Sequence, residues 1–512
     1  MLVDQKQREE ILADDGNIVI SASAGSGKTT IMVRKMKLEL ENIKDHKTIA
    51  AITFTVKATS EIRKKAGNQI EKQFVAMTND AFIEHEVIRP FIKDALGTEF
   101  NGDYTIDYGV KFNKFYQGLE TLKSTNVLGT FRDNKENFNF RLALFILEKS
   151  IAAQEYLKSK YQTIFIDEYQ DSDSDMHRFF MMLKNDLNIK LFIVGDAKQA
   201  IYIWRGAMSN IFELLQKEEF NYYELVTNFR CDEEIENFAN LFHNPKYVKD
   251  LKDIKGNVIF KEFNNFSNFS EFSNFKGFDE FFRNLIGEKK IDISKEITII
   301  SNINNDAARI AEQLNEAGYN FVFIPKTPID DGLPNGYLLK ELALFTKNTT
   351  YTIYDFIENT NIDERNQTRL EVNKIISDLK KGDTLNYKKI ERILSNLAEY
   401  LSINISKEET EKFHESVCES KYEMAFTLLD EKHKVMTVFA SKGLEFDQVI
   451  SFARYYNIHN NQNMQNHYVC ITRAKEKFVM CLDNEDYFPF VIKKATEKGI
   501  EYLSKELVTN RN

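Results

Sequence analysis

The sequence predicts an α/β protein with parallel sheets, built as two such units that are each interrupted by a short, mainly helical insertion. Three observations predict it. Brief apolar runs end at glycine loops or acidic residues: Asn17 to Ala22 before Gly25-Ser26-Gly27, Ile164 to Ile166 before Asp167-Glu168, and Leu191 to Val194 before Gly195-Asp196. Runs this short suit strands buried on both faces of a parallel sheet, and open α/β sheets bind ligands where such strands end. A second series of apolar runs begins near Glu296 and resumes after residue 430, so the alternation of strand and helix occurs twice.

Taken in order, a strand over Asn17 to Ala22 leads through the glycine loop into a helix over Thr30 to Glu41, where Ile31, Met32, Lys35 and Leu38 keep helical spacing. A strand at Thr48 to Phe54 and a helix from Lys57 into Ala66 follow, and residues 89–149 read as a helical insertion. Ile297 to Ile300 reads as a strand and Asn305 to Ala317 as a helix stopped by Gly318. Residues 331–429 are again largely helical in pattern, and strands return at Lys434 to Phe439, Gln448 to Phe452 and Lys477 to Leu482. The expected layout is therefore a first α/β domain from 1–88 and 150–245 around the insertion 89–149. A connector and the start of the second domain occupy 246–330, an insertion 331–429, and the rest of that domain 430–512.

Phe260, Phe263, Phe266, Phe269, Phe272, Phe275, Phe278 and Phe281 recur every third residue. A period of three drifts by about 60° per repeat around an α-helix and also mismatches a strand. The segment reads as a structural connector with partly buried rings, ahead of a partner-binding surface and, last, DNA stacking.

A net charge of -10 over 512 residues argues against coating nucleic acid by bulk attraction. It leaves room for a channel of local lysines and aromatic platforms. Cys231, Cys418, Cys470 and Cys481 form no C-x-x-C pair, so no zinc or iron-sulfur site is indicated and reduced, mostly buried thiols are expected. Met1-Leu2-Val3-Asp4 does not open a secretory signal and no run of about 18 apolar residues occurs, so a cytoplasmic protein without a membrane partner is expected.

The chemistry is concentrated in Ala22-Ser23-Ala24-Gly25-Ser26-Gly27-Lys28-Thr29. Glycines at these positions let backbone N–H groups wrap a phosphate, Lys28 can reach the β and γ phosphates, and the Thr29 hydroxyl can hold Mg2+. Asp167 supplies a second magnesium contact. ATP and Mg2+ are the cofactors this predicts. A solvated acidic loop is the competing view of Asp167-Glu168, and a phosphate loop in the same chain argues against it.

The ordered series of motifs resembles superfamily 1A DNA helicases of the UvrD/Rep type. It comprises Gln7, the phosphate loop, Thr53-Phe54-Thr55, Asp167 to Asp171, Gly195 to Ala207, Asn228-Phe229-Arg230, Thr437 to Phe446 and Tyr468 to Ala474. The resemblance implies two RecA-like P-loop motor domains and a DNA-dependent ATPase with 3' to 5' polarity. It assigns Ala24, Gly25, Ser26, Gly27, Lys28, Thr29 and Thr30 to the nucleotide, Gln7 to adenine, Phe229 to stacking and Glu445 to the ribose or a polar network. Glu168 would polarise the attacking water, Gln199 sense the γ-phosphate, and Arg230 and Arg473 act as arginine fingers, whose loss costs about 10³ to 10⁵ in rate elsewhere. Surface pairing of Arg473 with Glu476 is the bland alternative.

Single-stranded DNA is assigned by the same resemblance to Phe54, Tyr202, Trp204 and Arg205, with a buried core tryptophan as the competing view of Trp204. Three departures weaken single contacts: Phe439 stands where histidine is usual, Val56 where asparagine is common, and Asn79-Asp80 replace an aromatic-histidine pair. The compact layout, together with Ala50 to Thr59, is also similar to the helicase-like subunits of bacterial Gabija antiphage systems. That similarity implies DNA ends or single strands as ligand and a GajA-like nuclease subunit in a hetero-oligomer. A stand-alone repair helicase and a DNA-end-sensing signalling ATPase with little unwinding are the alternatives.

Overall fold

The computed structural model describes residues 2–54, 56–67, 70, 72–263, 275–325, 327–330, 333, 335–360, 362, 366–381, 385–401, 403–427, 432–456, 458 and 463–500. It divides into two compact units. One comprises Met1–Ser23, Gly27–Thr227 and Pro328–Cys418, the other Ala24–Ser26, Asn228–Thr327 and Glu419–Asn512.

The strands of the first unit are β1 (Ile18–Ala22), β2 (Thr48–Thr53), β3 (Val75–Thr78), β4 (Thr105–Phe112), β5 (Val127–Phe131), β6 (Tyr161–Ile166), β7 (Lys190–Gly195) and β8 (Asn221–Leu225). Six of them form a parallel sheet in the order β3-β2-β6-β7-β1-β8. The continuous apolar runs arise because both faces are covered. Ile20, Ala51, Phe165 and Phe192 pack with Ile31, Met32 and Met36 of the Lys28–Asn42 helix. Val19, Ile52, Ile164 and Ile193 pack on the other side with Phe140, Phe179 and Phe180. Because β6, β7 and β1 are neighbours and parallel, the segments that follow them emerge side by side.

The insertion expected over 89–149 is mainly helical but also holds the parallel pair β4–β5. Ile106, Tyr108, Val110 and Phe112 alternate with Asp107, Gly109 and Lys111, a strand period that overall polarity concealed. The rings of Phe112, Phe131 and Phe138 close its core, with Phe112 and Phe138 centroids 4.6 Å apart. Among the described residues of 328–418 the secondary structure is helical, and this stretch clusters with the first unit, where Asn404 Nδ2 donates to the Ile106 carbonyl at 3.3 Å.

In the second unit, β9 (Val258–Glu262), β10 (Ile297–Ser301), β11 (Phe321–Phe323), β12 (His433–Thr437), β13 (Phe446–Phe452) and β14 (Ala474–Leu482) form a parallel sheet ordered β11-β12-β10-β13-β14-β9. The strand predicted over Lys434 to Phe439 stops at Thr437 because the Thr437 hydroxyl accepts from Ala440 N–H and caps a short helix, Val438–Ser441.

Of the period-three phenylalanines, Phe260, Phe263, Phe275, Phe278 and Phe281 are all buried rather than partly so. Phe275 and Phe278 lie 5.0 and 5.4 Å from Phe452 of β13, while Phe260 meets Phe238 at 5.3 Å. Phe266, Phe269 and Phe272 lie outside the described residues.

Candidate active site

The loop after β1 turns through left-handed backbone at Gly25 (φ +73°) and Gly27 (φ +81°), which a side chain at either position would strain. Gly27 starts the Lys28–Asn42 helix without a capping side chain. Helix N-terminal amides arranged this way suit a phosphate. Thr29 is half-buried and Thr30 exposed on the first turn.

From the end of β6, Asp167 and Glu168 enter the same region. Lys28 Nζ lies 3.1 Å from Glu168 Oε1. Glu168 itself sits in left-handed backbone (φ +54°), an arrangement that costs a non-glycine residue energy and recurs at functional sites. Its N–H donates to Asp167 Oδ1 at 2.9 Å. Burial works against the Lys28 charge, but Glu168, Asp167 and Asp196 outweigh it and hold the ammonium above its ordinary pKa. Burial, with Glu168 next to it, pushes the Asp167 carboxyl up from the usual range.

The loop after β7 supplies Asp196, fully buried, whose carboxylate accepts from Gln199 Nε2 at 2.9 Å and pairs with Lys198 at 2.7 Å. Burial opposes its charge, yet Lys198 and Lys28 draw its pKa down. Gln170, also fully buried, donates through Nε2 to Glu168 Oε2 and accepts from Asp196 N–H at 2.9 Å through Oε1.

This set fits Mg2+ and a nucleotide. Asp167 and the Thr29 hydroxyl are hard oxygen donors of the kind Mg2+ takes alongside phosphate oxygens, and a cation there would reverse the upward push on Asp167. Gln7 accepts from Glu224 N–H at 2.6 Å through Oε1, which leaves its amide nitrogen as the group able to meet a base.

Past Gln199 the chain carries the residues expected to meet DNA. Trp204 is 51% exposed, which rules out the core-tryptophan view. The Arg205 guanidinium lies 5.7 Å from the Trp204 ring and 5.9 Å from Tyr202, within cation–π range. Tyr202 is half-buried, and Phe54 is half-buried against the core beneath β2. Trp204 is thus the broadest open ring of the three.

In the second unit, Arg230 Nε meets Glu445 Oε2 at 2.6 Å and its Nη1 donates to the Thr472 carbonyl at 3.3 Å. Arg473 is buried and donates to the carbonyls of Val469 (3.0 Å) and Leu444 (2.8 Å). Lys295, not Arg473, pairs with Glu476. Phe229 is 59% exposed, and its N–H donates to the Gly25 carbonyl at 2.9 Å. The structure therefore gathers Lys28, Asp167, Glu168 and Gln199 in one unit, and Arg230, Glu445 and Arg473 in the other.

Sequence reasoning assigned no role to Gln170 or Tyr468. Gln170 lies inside the Asp167 to Asp171 motif, and Tyr468, whose hydroxyl accepts from Ala24 N–H at 3.1 Å, opens the Tyr468 to Ala474 motif. Motif membership was the available signal.

Residues 5–205 match the family model described as AAA domain. The chain is 42% identical over 506 residues to Gabija protein GajB of Bacillus cereus (strain VD045), a match that covers 98% of this chain and 100% of that one. It is 27% identical over 323 residues to a probable DNA helicase II homolog of Mycoplasma genitalium, covering 50% of this chain and 45% of the relative. It is also 27% identical over 296 residues to ATP-dependent DNA helicase PcrA of Staphylococcus epidermidis, covering 46% and 39%. The chain thus spans less than half the length of these two helicases. Among the described residues, no helix is long and apolar enough to cross a membrane.

Proposed function

Because the chain belongs to the Gabija GajB family of UvrD/Rep-type superfamily 1A helicases, we propose that its Lys28–Glu168 site hydrolyses ATP to drive movement along single-stranded DNA beside a nuclease subunit. ATP-dependent helicase or translocase action on DNA, in an antiphage setting, goes with that membership. The observation that carries the site assignment is the ion pair of Lys28 with Glu168, next to Asp167, which joins the loops after β1 and β6 across the end of the intervening β7.

In this proposal Thr29 and Asp167 hold Mg2+, which supplies charge neutralisation at the phosphates. Lys28 exchanges Glu168 for phosphate oxygens. That frees the Glu168 carboxylate to orient and polarise water as a general base. Gln199 senses the γ-phosphate, Gln7 and Phe229 meet the base, and Glu445 meets the ribose. Arg230 and Arg473 serve as arginine fingers, with Arg230 giving up Glu445 to do so. Trp204 supplies the main stacking face, with Tyr202, Phe54 and Arg205 along the strand. Polarity is 3' to 5' and the location cytoplasmic.

The nuclease partner is of the GajA kind, in a hetero-oligomer that engages DNA ends or single strands. Strand displacement on 3'-tailed, 5'-tailed and blunt duplexes, with and without the co-expressed nuclease, tests this. Displacement of the 3'-tailed substrate, increased by the nuclease, is the predicted result. ATP-dependent binding with no displacement in either condition would instead make the chain a DNA-end sensor, and full displacement with no stable nuclease complex would make it a stand-alone helicase.

A further inference from the structure

Gln170 bridges two loops that the sequence separates. Its side chain is fully buried, and its amide is used at both ends: Nε2 donates to the Glu168 carboxylate and Oε1 accepts the Asp196 N–H at 2.9 Å. The Asp196 carboxylate then holds Gln199 Nε2 at 2.9 Å, and the Gln199 carbonyl accepts Ile201 N–H at 2.9 Å. Three residues further on is Trp204, the only tryptophan in the chain. All of these residues lie in the first unit.

The contact is close. A Cβ on Gly195 would stand 2.6 Å from Gln170 Oε1 and 3.1 Å from Tyr169 N, so a glycine at this position is what lets the β7 loop reach the amide. At the other end Glu168 holds left-handed backbone, which is costly for a non-glycine residue, while its two carboxylate oxygens accept from Lys28 and Gln170. A change at one oxygen, such as the loss of Lys28 to a phosphate, alters the bond at the other, and the amide carries the shift to Asp196 N–H.

We propose that Gln170 is a positioning residue that ties the Glu168 carboxylate to the Gly195–Trp204 loop, so that occupancy of the nucleotide site is felt at the DNA-stacking tryptophan. This rests on the assignment of Lys28 and Glu168 to the nucleotide site. A buried glutamine that merely satisfies two loops would stabilise the fold without coupling them.

Trp204 emission provides the readout, because no other indole contributes. The full-length chain is titrated with Mg2+ and a non-hydrolysable ATP analogue, and emission and iodide quenching are recorded for the parent, Gln170→Met and Gln170→Glu. Gln170→Met keeps the length and removes both hydrogen bonds, whereas Gln170→Glu keeps an acceptor for Asp196 N–H and removes the donor to Glu168. The expected result is a nucleotide-dependent change in the parent that both variants lose, while analogue affinity stays within about threefold. The kcat for ATP falls by about 10- to 100-fold with KM little changed, the size seen when residues that orient a metal site's ligands are removed. A parent-like Trp204 response and kcat in Gln170→Met would overturn the coupling. Glu168→Gln separates the two failures: turnover equal to the parent sinks the assignment of Glu168 and the coupling with it, whereas lost turnover beside a parent-like Gln170→Met sinks the coupling alone.

Discussion

Lys28 Nζ lies 3.1 Å from Glu168 Oε1, so the group proposed to hold phosphate and the group proposed to polarise water hold each other in one ion pair. A nucleotide has to compete with Glu168 for the ammonium. Glu168→Gln is therefore expected to bind a non-hydrolysable ATP analogue more tightly than the parent while turnover falls by about 10² to 10⁴. Equilibrium binding and steady-state hydrolysis, measured on the same preparation, check the two opposed effects; weaker binding would show that the pair does not compete with phosphate.

Trp204 is exposed, so its loss should be felt by DNA and hardly by the fold. Trp204→Ala is expected to weaken single-stranded DNA binding by about 1–3 kcal/mol, roughly 5- to 150-fold in Kd, with no change in thermal midpoint. Anisotropy of a labelled oligonucleotide and a melting curve provide the measurements.

The ends of β1, β6 and β7 were legible in the sequence because strands buried on both faces read as short apolar runs, and each run stops at a glycine or an acid. The β4–β5 pair was not, because alternation over Thr105–Phe112 is mixed with charges and a glycine inside a helical stretch. Gln170 could be placed in a motif, but only sheet order makes the β6 and β7 loops neighbours, and sheet order is not written in either loop. The phenylalanine period failed for a related reason. Phe260 lies on β9, Phe275 on a turn and Phe278 in a helix, so no single backbone period governs rings that meet around Phe452 and Phe238.

That ring cluster makes a direct stability prediction. Phe278 is fully buried and contacts Phe263, Phe281 and Phe452. Phe278→Ala is expected to cost about 3–5 kcal/mol through lost burial and a residual cavity, visible as a lower denaturant midpoint. A shift below about 1 kcal/mol would mean the segment is not part of the core.

Asp4 predicts an acid-side dependence. Burial works against its charge, yet Arg8 at 2.8 Å, the Thr227 hydroxyl at 2.7 Å and the Val226 and Thr227 amides hold its pKa down to about 2 from 3.8. A depressed folded pKa contributes stability that is present above 3.8 and lost as pH falls toward 2, here about 2 kcal/mol. Asp4→Asn should lose that amount at pH 7 and show a flatter stability profile between pH 4 and pH 2 than the parent, as read by urea unfolding across that window.

The measurement that bears most directly on the central claim is ATP turnover by the full-length chain as single-stranded DNA is titrated in, for the parent and for Glu168→Gln. Turnover that rises with DNA to a plateau in the parent, and is lower by about 10² to 10⁴ in the variant at every DNA concentration, is the predicted result. Turnover that is the same with and without DNA, or that stays at the parent level in Glu168→Gln, would contradict an ATPase whose Lys28–Glu168 site answers to the strand at Trp204.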